Sequence, residues 1–208
     1  MTPDPSHAFQ VPTTLRSVAR RFYARPALVV ARELLGCLLV HDTEAGRCVG
    51  RIVEAEAYAT DDPGCHAFKG RTPRNDPMFG KPGTAYVYFT YGMHWMLNAV
   101  CDRVDVPSAV LLRAVEPLEG IELMRQRRGT VSDRDLCRGP ARLTQAFGIG
   151  PDHNRADLVT GSLFIAPGER LPHEAVEATA RVGLGAAQDG RAWRFIESGS
   201  RAVSRFTP

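Results

Sequence analysis

The sequence predicts an α+β protein, a single compact domain around a curved, mostly antiparallel β-sheet with flanking helices. Short runs of strand-forming residues are joined by hairpin-like turns, and helical patterns are few. The 208 residues, 44% of them hydrophobic, are enough for one core of ordinary size. No repeat or linker divides the chain. We therefore expect a flexible N-terminal arm over residues 1–14 and one domain over residues 15–208.

The first elements are predicted to be a helix and a β-hairpin. Pro26 stands near the helix start, and Gly36 stands where a helix commonly ends. In chain order, the segments are the helix "ARPALVVARELLG" (24–36), the strand "CLLV" (37–40), the turn "HDTEAG" (41–46) and the strand "RCVGRIVEAEAY" (47–58).

Residues 59–84 have no clear period and are rich in Gly, Pro, Asp and Asn. A loop of this length inside a compact domain is usually functional. The later elements are predicted as two strands within 85–101 that break at Tyr91-Gly92, a strand at 108–117, helices at 118–128 and 139–149, and strands at 163–167, 180–185 and 193–199.

Composition argues against several classes of protein. Five widely spaced cysteines and six scattered histidines form no metal-binding motif, so we expect no metal and no cofactor. Reduced thiols, no apolar run of membrane length and no secretory signal favour a cytoplasmic protein that does not bind membranes. The net charge of +3 permits a nucleic-acid partner but does not require one.

The strand at 47–58 carries unusual polar residues. Strand side chains alternate between faces. Strict alternation would place Ile52, Glu54, Glu56 and Tyr58 on one face and Val53, Ala55 and Ala57 on the other. Two glutamates on a strand face are ordinary if that face meets solvent. They are also what a hydrolase needs if the face meets a substrate.

Aromatic residues near this strand suggest a pocket. His66 follows in the long loop, and Tyr86, Tyr88 and Tyr91 belong to the next hairpin. Such rings beside a carboxylate could bind a flat, polar or cationic heterocycle, although tyrosine is also common in half-buried strands. One glutamate could then activate water. Alternatively, Glu54 and Glu56 could form the carboxylate pair of a glycoside hydrolase.

Several long motifs, in order, resemble those of the alkyladenine (3-methyladenine) DNA glycosylase family of the mammalian type, as found in its bacterial members. The resemblance covers about residues 22–199. The motifs are "VARELLG", "GRIVEAEAY", "TPRNDPMFGKPGTAYVYFTYGMHWMLN", "AVLLRAVEPLEG" and "DLCRGPARLTQAFGI".

The resemblance implies a monofunctional enzyme that flips damaged purines out of duplex DNA and hydrolyses the N-glycosidic bond. The implied substrates are 3-methyladenine, 7-methylguanine, hypoxanthine and ethenoadenine. Glu56 corresponds to the general base that deprotonates the attacking water, and Arg113 to the residue that positions them. The base pocket is expected to contain Tyr58, His66, Tyr88, Asn98 and Leu111, with Asn98 disfavouring the exocyclic amino group of guanine.

Tyr91 corresponds to the residue that intercalates where the base has left. We expect damaged double-stranded DNA as the partner of a monomeric protein, with phosphate contacts from Lys69, Arg71, Arg74, Lys81 and Arg142. Two alternatives remain open from the residues alone: a glycoside or nucleoside hydrolase that uses Glu54 and Glu56, or a non-catalytic DNA-binding domain.

Overall fold

The computed structural model describes residues 11–129, 132–187 and 189–204. The arm predicted for residues 1–14 therefore lies mostly outside the described residues. The helices of the described ranges are α1 (Arg20–Tyr23), α2 (Ala27–Leu34), α3 (Ile121–Arg128) and α4 (Pro140–Phe147). Their strands are β1 (Leu38–Thr43), β2 (Gly46–Tyr58), β3 (Ala85–Thr90), β4 (His94–Val100), β5 (Ala109–Glu119), β6 (Leu163–Ala166), β7 (Val176–Thr179) and β8 (Arg194–Glu197).

The strands form one open sheet in which every strand pair is antiparallel. The order is β3-β4-β5-β2-β1-β6, with β8 also paired to β2 and β7 paired to β8. The long strand β2 is central. Its first half pairs with β1, its second half pairs with β8, and β5 follows its other edge. The predicted α+β class is confirmed.

The two faces of the sheet carry different clusters. Helix α2 packs against β2 and β5, and α4 packs against β4 and β5. The main core on this face includes Leu34, Ile52, Leu97, Leu112 and Phe147. On β3, Val87 joins this core, whereas Tyr86 and Tyr88 belong to a second cluster with Met78 and Cys65 of the long loop. The loop at 59–84 therefore covers the face that carries the tyrosines.

Two of the three register shifts between β2 and β5 overturn the predicted alternation along β2. Ile52 pairs with Val115, Glu54 with Ala114 and Ala55 with Leu112, so Val53 and Arg113 have no directly opposed partner. These are β-bulges, which re-aim side chains and bend strands. As a result Ile52 packs in the main core with Ala55 and Ala57, and does not share the face of the glutamates.

Three other element predictions were wrong in position. The turn at 41–46 is shorter, because β1 and β2 stay paired as far as Thr43 and Gly46. The helix predicted from residue 118 begins at Ile121, since β5 continues to Glu119. No strand forms at 180–185, where Gly183 and Gly185 have positive φ, and the strand lies earlier, at Val176–Thr179.

The predicted end of the first helix and the long loop at 59–84 agree with the structure. Gly36 has a φ of 86° just beyond α2, and the long loop contains only one short 3₁₀ helix, Asp76–Phe79. All five cysteines are free. In the part of the chain that the structure describes, no helix is both long and apolar enough to cross a membrane.

Candidate active site

A cavity of about 280 Å³ opens on the tyrosine-bearing face of the sheet. This volume is near the small end of the range for ligand pockets. Its wall combines aromatic rings, apolar side chains and a few polar groups. The lining residues are Tyr58, Gly64, His66, Met78, Tyr86, Tyr88, Thr90, Tyr91, Met96, Asn98, Leu111, Arg113, Pro140, Val182, Gly183 and Leu184.

Glu56 lies behind this wall, fully buried, with its carboxylate held by three donors. Oε2 accepts from the Tyr58 hydroxyl at 2.9 Å and from Arg113 Nη1 at 3.1 Å. Oε1 accepts from the Val182 amide at 2.8 Å. All three donors line the cavity. A carboxylate has about four lone-pair positions, so one acceptor position of Glu56 remains for a further donor.

Arg113, the bulged residue of β5, connects both strand glutamates. Its Nε donates to Glu54 Oε1 at 2.7 Å while Nη1 reaches Glu56. Burial acts to lower the pKa of Arg113, but the two carboxylates outweigh it and the pKa is raised. The guanidinium is therefore a permanent cation between two buried acids, and the bulge gives it this direction.

Glu54 is fully buried and its carboxylate accepts from four protein donors. Besides Arg113, it accepts from Arg194 Nε, from the Ser204 hydroxyl and from the Ser204 amide, each at 2.7 Å. Burial raises the pKa of Glu54, but Arg113, Arg194 and the Ser204 donors outweigh it and hold the pKa below its ordinary value. Three of these donors share Oε1 and only the Ser204 amide reaches Oε2. Glu54 is fully buried and does not line the cavity that the described residues form, so a sugar in the cavity has no access to it, which disfavours the carboxylate-pair hypothesis.

A single row across the sheet aligns the floor of the cavity with the buried acid. Glu56 on β2 lies opposite Leu111 on β5, and Leu111 lies opposite Asn98 on β4. The row continues from Asn98 to Tyr86 on β3. Asn98 also donates from Nδ2 to the Tyr86 carbonyl at 3.1 Å, which fixes the plane of its amide inside the cavity.

Aromatic rings form the side walls. His66 Nδ1 is 2.9 Å from the Tyr86 hydroxyl, and its ring lies 4.5 Å from that of Tyr88 in an edge-to-face arrangement. Burial lowers the pKa of His66, with a further contribution from Arg74, so the ring is neutral at pH 7. Burial beside Glu56 raises the pKa of Tyr58, which keeps its hydroxyl a donor.

Tyr58 rests on a buried cation. The guanidinium carbon of Arg181 lies 4.7 Å from the Tyr58 ring centroid. Arg181 pairs with buried Asp62 and donates to the Ala57 carbonyl at 3.0 Å. These contacts anchor the segment that presents the Val182 amide to Glu56.

An apolar tip stands at the mouth of the cavity, on the turn between β3 and β4. Tyr91 is 75% exposed, and Phe89 and Met93 beside it are also exposed. Tyr91 has a φ of 52°, a left-handed conformation that is uncommon outside glycine. A strained residue with an exposed ring indicates a functional role for the tip.

The predicted phosphate contacts do not form one cluster. Arg74 stacks over Tyr88, 5.5 Å from its ring centroid, and so belongs to the site. Arg71 pairs with Asp76 and Asp105, and Arg142 pairs with Asp135 beside a neighbouring cleft. That cleft shares Arg113 with the site. The remaining two, Lys69 and Lys81, are exposed.

Across the described ranges, 11–129, 132–187 and 189–204, no group of three or more His, Cys, Asp or Glu residues is arranged to hold a metal ion. The described residues instead place a buried carboxylate at the foot of an aromatic cavity.

Comparison with known proteins decides the family. The family profile of methylpurine-DNA glycosylase (MPG) matches residues 21–201. The chain belongs to the methylpurine-DNA glycosylase family. It is therefore a hydrolase of N-glycosyl bonds in DNA repair, and DNA is its substrate. The hypothesis of a non-catalytic DNA-binding domain falls with this finding.

Bacterial relatives of this glycosylase cover nearly the same length. A protein of Carboxydothermus hydrogenoformans, named provisionally as a 3-methyladenine DNA glycosylase, is 46% identical over 89% of this chain and 97% of its own. A Chlorobaculum tepidum protein with the same name is 42% identical over 93% of both chains. One from Rubrobacter xylanophilus is 48% identical over 81% of this chain and 87% of its own.

The sequence predicted part of the cavity lining, namely Tyr58, His66, Tyr88, Tyr91, Asn98, Leu111 and Arg113. It missed other lining residues, such as Val182, and the residues that hold the strand glutamates and Tyr58 in place. Arg181, Val182, Arg194 and Ser204 contact Glu54, Glu56 or Tyr58 from more than 120 positions away. The only local signal was the pair of glycines at 183 and 185, which argues against a strand.

Proposed function

We propose that this monomeric, monofunctional glycosylase flips damaged purines out of duplex DNA and hydrolyses their N-glycosidic bond with a water activated by Glu56. The observation that carries the proposal is the Glu56 carboxylate. It is fully buried, is held by three donors that line the aromatic cavity, and retains one free acceptor position. The proposal directs that position to the attacking water.

The first step in this proposal is extrusion of the base. Unstacking costs roughly a few kcal/mol and costs least for a damaged or mispaired base, which contributes to selectivity. Tyr91, exposed at the tip beside the cavity, fills the space that the base leaves. Tyr58, His66 and Tyr88 then stack on the extruded purine.

Hydrolysis follows without a covalent enzyme intermediate. The water oxygen forms a bond to C1′ of the deoxyribose as the bond from C1′ to the base nitrogen breaks. The electron pair of that bond leaves with the base, and a water proton passes to Glu56. Arg113 fixes the carboxylate and stabilises its negative charge before the transfer.

The cavity favours alkylated purines. 3-Methyladenine and 7-methylguanine carry positive charge on the ring, which aromatic faces attract. They leave as neutral bases, so departure needs no added proton. We also propose neutral hypoxanthine and ethenoadenine as substrates; each leaves C1′ as an anion, which then takes a proton from solvent water.

A labelled duplex containing one hypoxanthine tests the proposal. After incubation and alkali, strand scission at the lesion is expected for the wild-type protein, and none for an undamaged duplex. Release of base from a free nucleoside but not from the duplex would instead support a nucleoside hydrolase.

A further inference from the structure

The buried Glu54 carboxylate connects the active site with residues 194–204, which we call the C-terminal segment. Arg194, on β8, donates to Oε1 from Nε at 2.7 Å. Ser204 donates to Oε1 from its hydroxyl and to Oε2 from its amide, both at 2.7 Å. Arg194 also donates from Nη2 to the Ser204 carbonyl at 3.2 Å, so the two residues brace each other.

The same Glu54 carboxylate also binds Arg113. The Arg113 guanidinium donates from Nε to Glu54 Oε1 and from Nη1 to Glu56 Oε2. Because a guanidinium is planar and its donors have fixed directions, fixing Nε also fixes where Nη1 points. The orientation of Glu54 therefore sets the contact between Arg113 and Glu56.

Charge balance alone does not require Ser204. Two guanidinium groups already neutralise Glu54. The Ser204 amide and hydroxyl add two neutral donors that restrict how the carboxylate can rotate. If the contacts of Glu54 served only to neutralise its charge, the two Ser204 donors would not be needed.

We propose that Ser204 and Arg194 are positioning residues, which act through Glu54 to hold Arg113 in the orientation that engages Glu56. The inference rests on the proposed role of Glu56 as the general base. The C-terminal segment, which lines no part of the base cavity within the described residues, would thereby set the rate of excision without touching the base.

The test compares two serine-to-alanine variants of the C-terminal region. Ser204→Ala removes a hydroxyl that donates to Glu54, and the control Ser198→Ala removes a hydroxyl that donates to surface Glu177 at the same 2.7 Å. For both variants we measure the rate of single-turnover excision of hypoxanthine, the affinity for the same duplex and the temperature of thermal unfolding. Ser204→Thr, which retains the hydroxyl, tests rescue.

Ser204→Ala is expected to slow single-turnover excision by about tenfold, the effect of one hydrogen bond to a charged group, while DNA affinity stays within about twofold. Ser204→Thr should restore most of the rate, and Ser198→Ala should match the wild type. Arg194→Lys, which keeps the charge but not the planar donors, should also slow excision at unchanged affinity.

An excision rate for Ser204→Ala equal to that of Ser198→Ala would overturn the inference. So would a parallel loss of DNA affinity and excision, which would assign Ser204 to folding alone. Glu56→Gln in the same assay separates this inference from the proposed function. Full excision by Glu56→Gln refutes the general base, whatever the serine variants do.

Discussion

The hydroxyl of Tyr58 donates a hydrogen bond to Oε2 of Glu56, two residues earlier on the same strand, at 2.9 Å. The ring that lines the base cavity and the buried acid behind it are thus one unit. Any substitution of the acid must keep its shape, or it will also move the ring.

Glu56→Gln keeps that shape and is expected to abolish excision while the protein still folds and binds DNA. The amide can still bond to the Tyr58 hydroxyl but cannot accept a proton from water. The loss should be at least about 100-fold, the lower end of what a general base contributes. Single-turnover excision of hypoxanthine and a binding titration on the same duplex measure the two effects. Excision at the wild-type rate would remove Glu56 from catalysis.

Tyr91→Ala should weaken capture of an extruded base. Tyr91 is the most exposed large side chain of the apolar tip, and its ring has few protein contacts to lose. The expected cost is about one stacking contact, roughly 1–3 kcal/mol. Fluorescence of a base analogue at the lesion position reports the flipped fraction. The matched control is Val29→Ala, at an exposed apolar position on α2. If Tyr91→Ala gives a flipped fraction as high as that of the control, Tyr91 does not intercalate where the base has left.

Asn98→Ala should admit bases derived from guanine. Asn98 lies in the cross-strand row with Leu111 and Glu56, and its amide is fixed by the Tyr86 carbonyl. Removing the amide removes the group expected to clash with the exocyclic amino group of guanine. The measurement is excision from duplexes that contain hypoxanthine or guanine at one position. An unchanged ratio between them would exclude Asn98 from discrimination.

Glu54 should make the free energy of unfolding depend on pH below the ordinary carboxyl range. Its pKa in the folded protein lies below the unfolded value of about 4.3, so its contribution is fully present above pH 4.3. The contribution is lost as the pH falls through the folded pKa. At pH 7, Glu54→Gln should cost about 3–5 kcal/mol, because two buried guanidinium groups lose their counter-charge.

Urea unfolding of the wild type and Glu54→Gln between pH 7 and pH 3 tests this linkage. The difference between the two proteins should narrow as the pH falls below about 4.3, because the unfolded wild type then takes up a proton on Glu54 that the folded protein still excludes. Glu177→Gln, at an exposed carboxylate, is the control and should cost little at any pH. A difference that stays constant down to pH 3 would show that the charge of Glu54 does not stabilise the fold.

The sequence predicted the fold class because hairpin periodicity is local, and it predicted part of the cavity lining because long family motifs contain those residues. The sequence did not predict features that depend on residues far apart in the chain. Nothing near Arg113 indicates that the residue is bulged, since a bulge depends on pairing between strands about 60 residues apart. The backbone amides of Val182 and Ser204 donate to the carboxylates of Glu56 and Glu54 instead of to a neighbouring strand. The residue pattern of a strand does not predict such bonds.

The product should be a bare abasic site, without strand cleavage until alkali or heat is applied. A bifunctional glycosylase attacks C1′ with an amine and cuts the strand through a Schiff base, which requires a nucleophilic lysine or N-terminal amine.

The chain has only two lysines, Lys69 and Lys81. Both are exposed, and neither lines the cavity formed by the described residues. Neither lysine is therefore placed to attack C1′ of a nucleotide whose base occupies the cavity. Borohydride added during the reaction should therefore trap no covalent adduct between protein and DNA. A stable adduct that is absent in Lys81→Ala, but still forms in the control Lys69→Ala, would replace the activated water with an amine from the long loop.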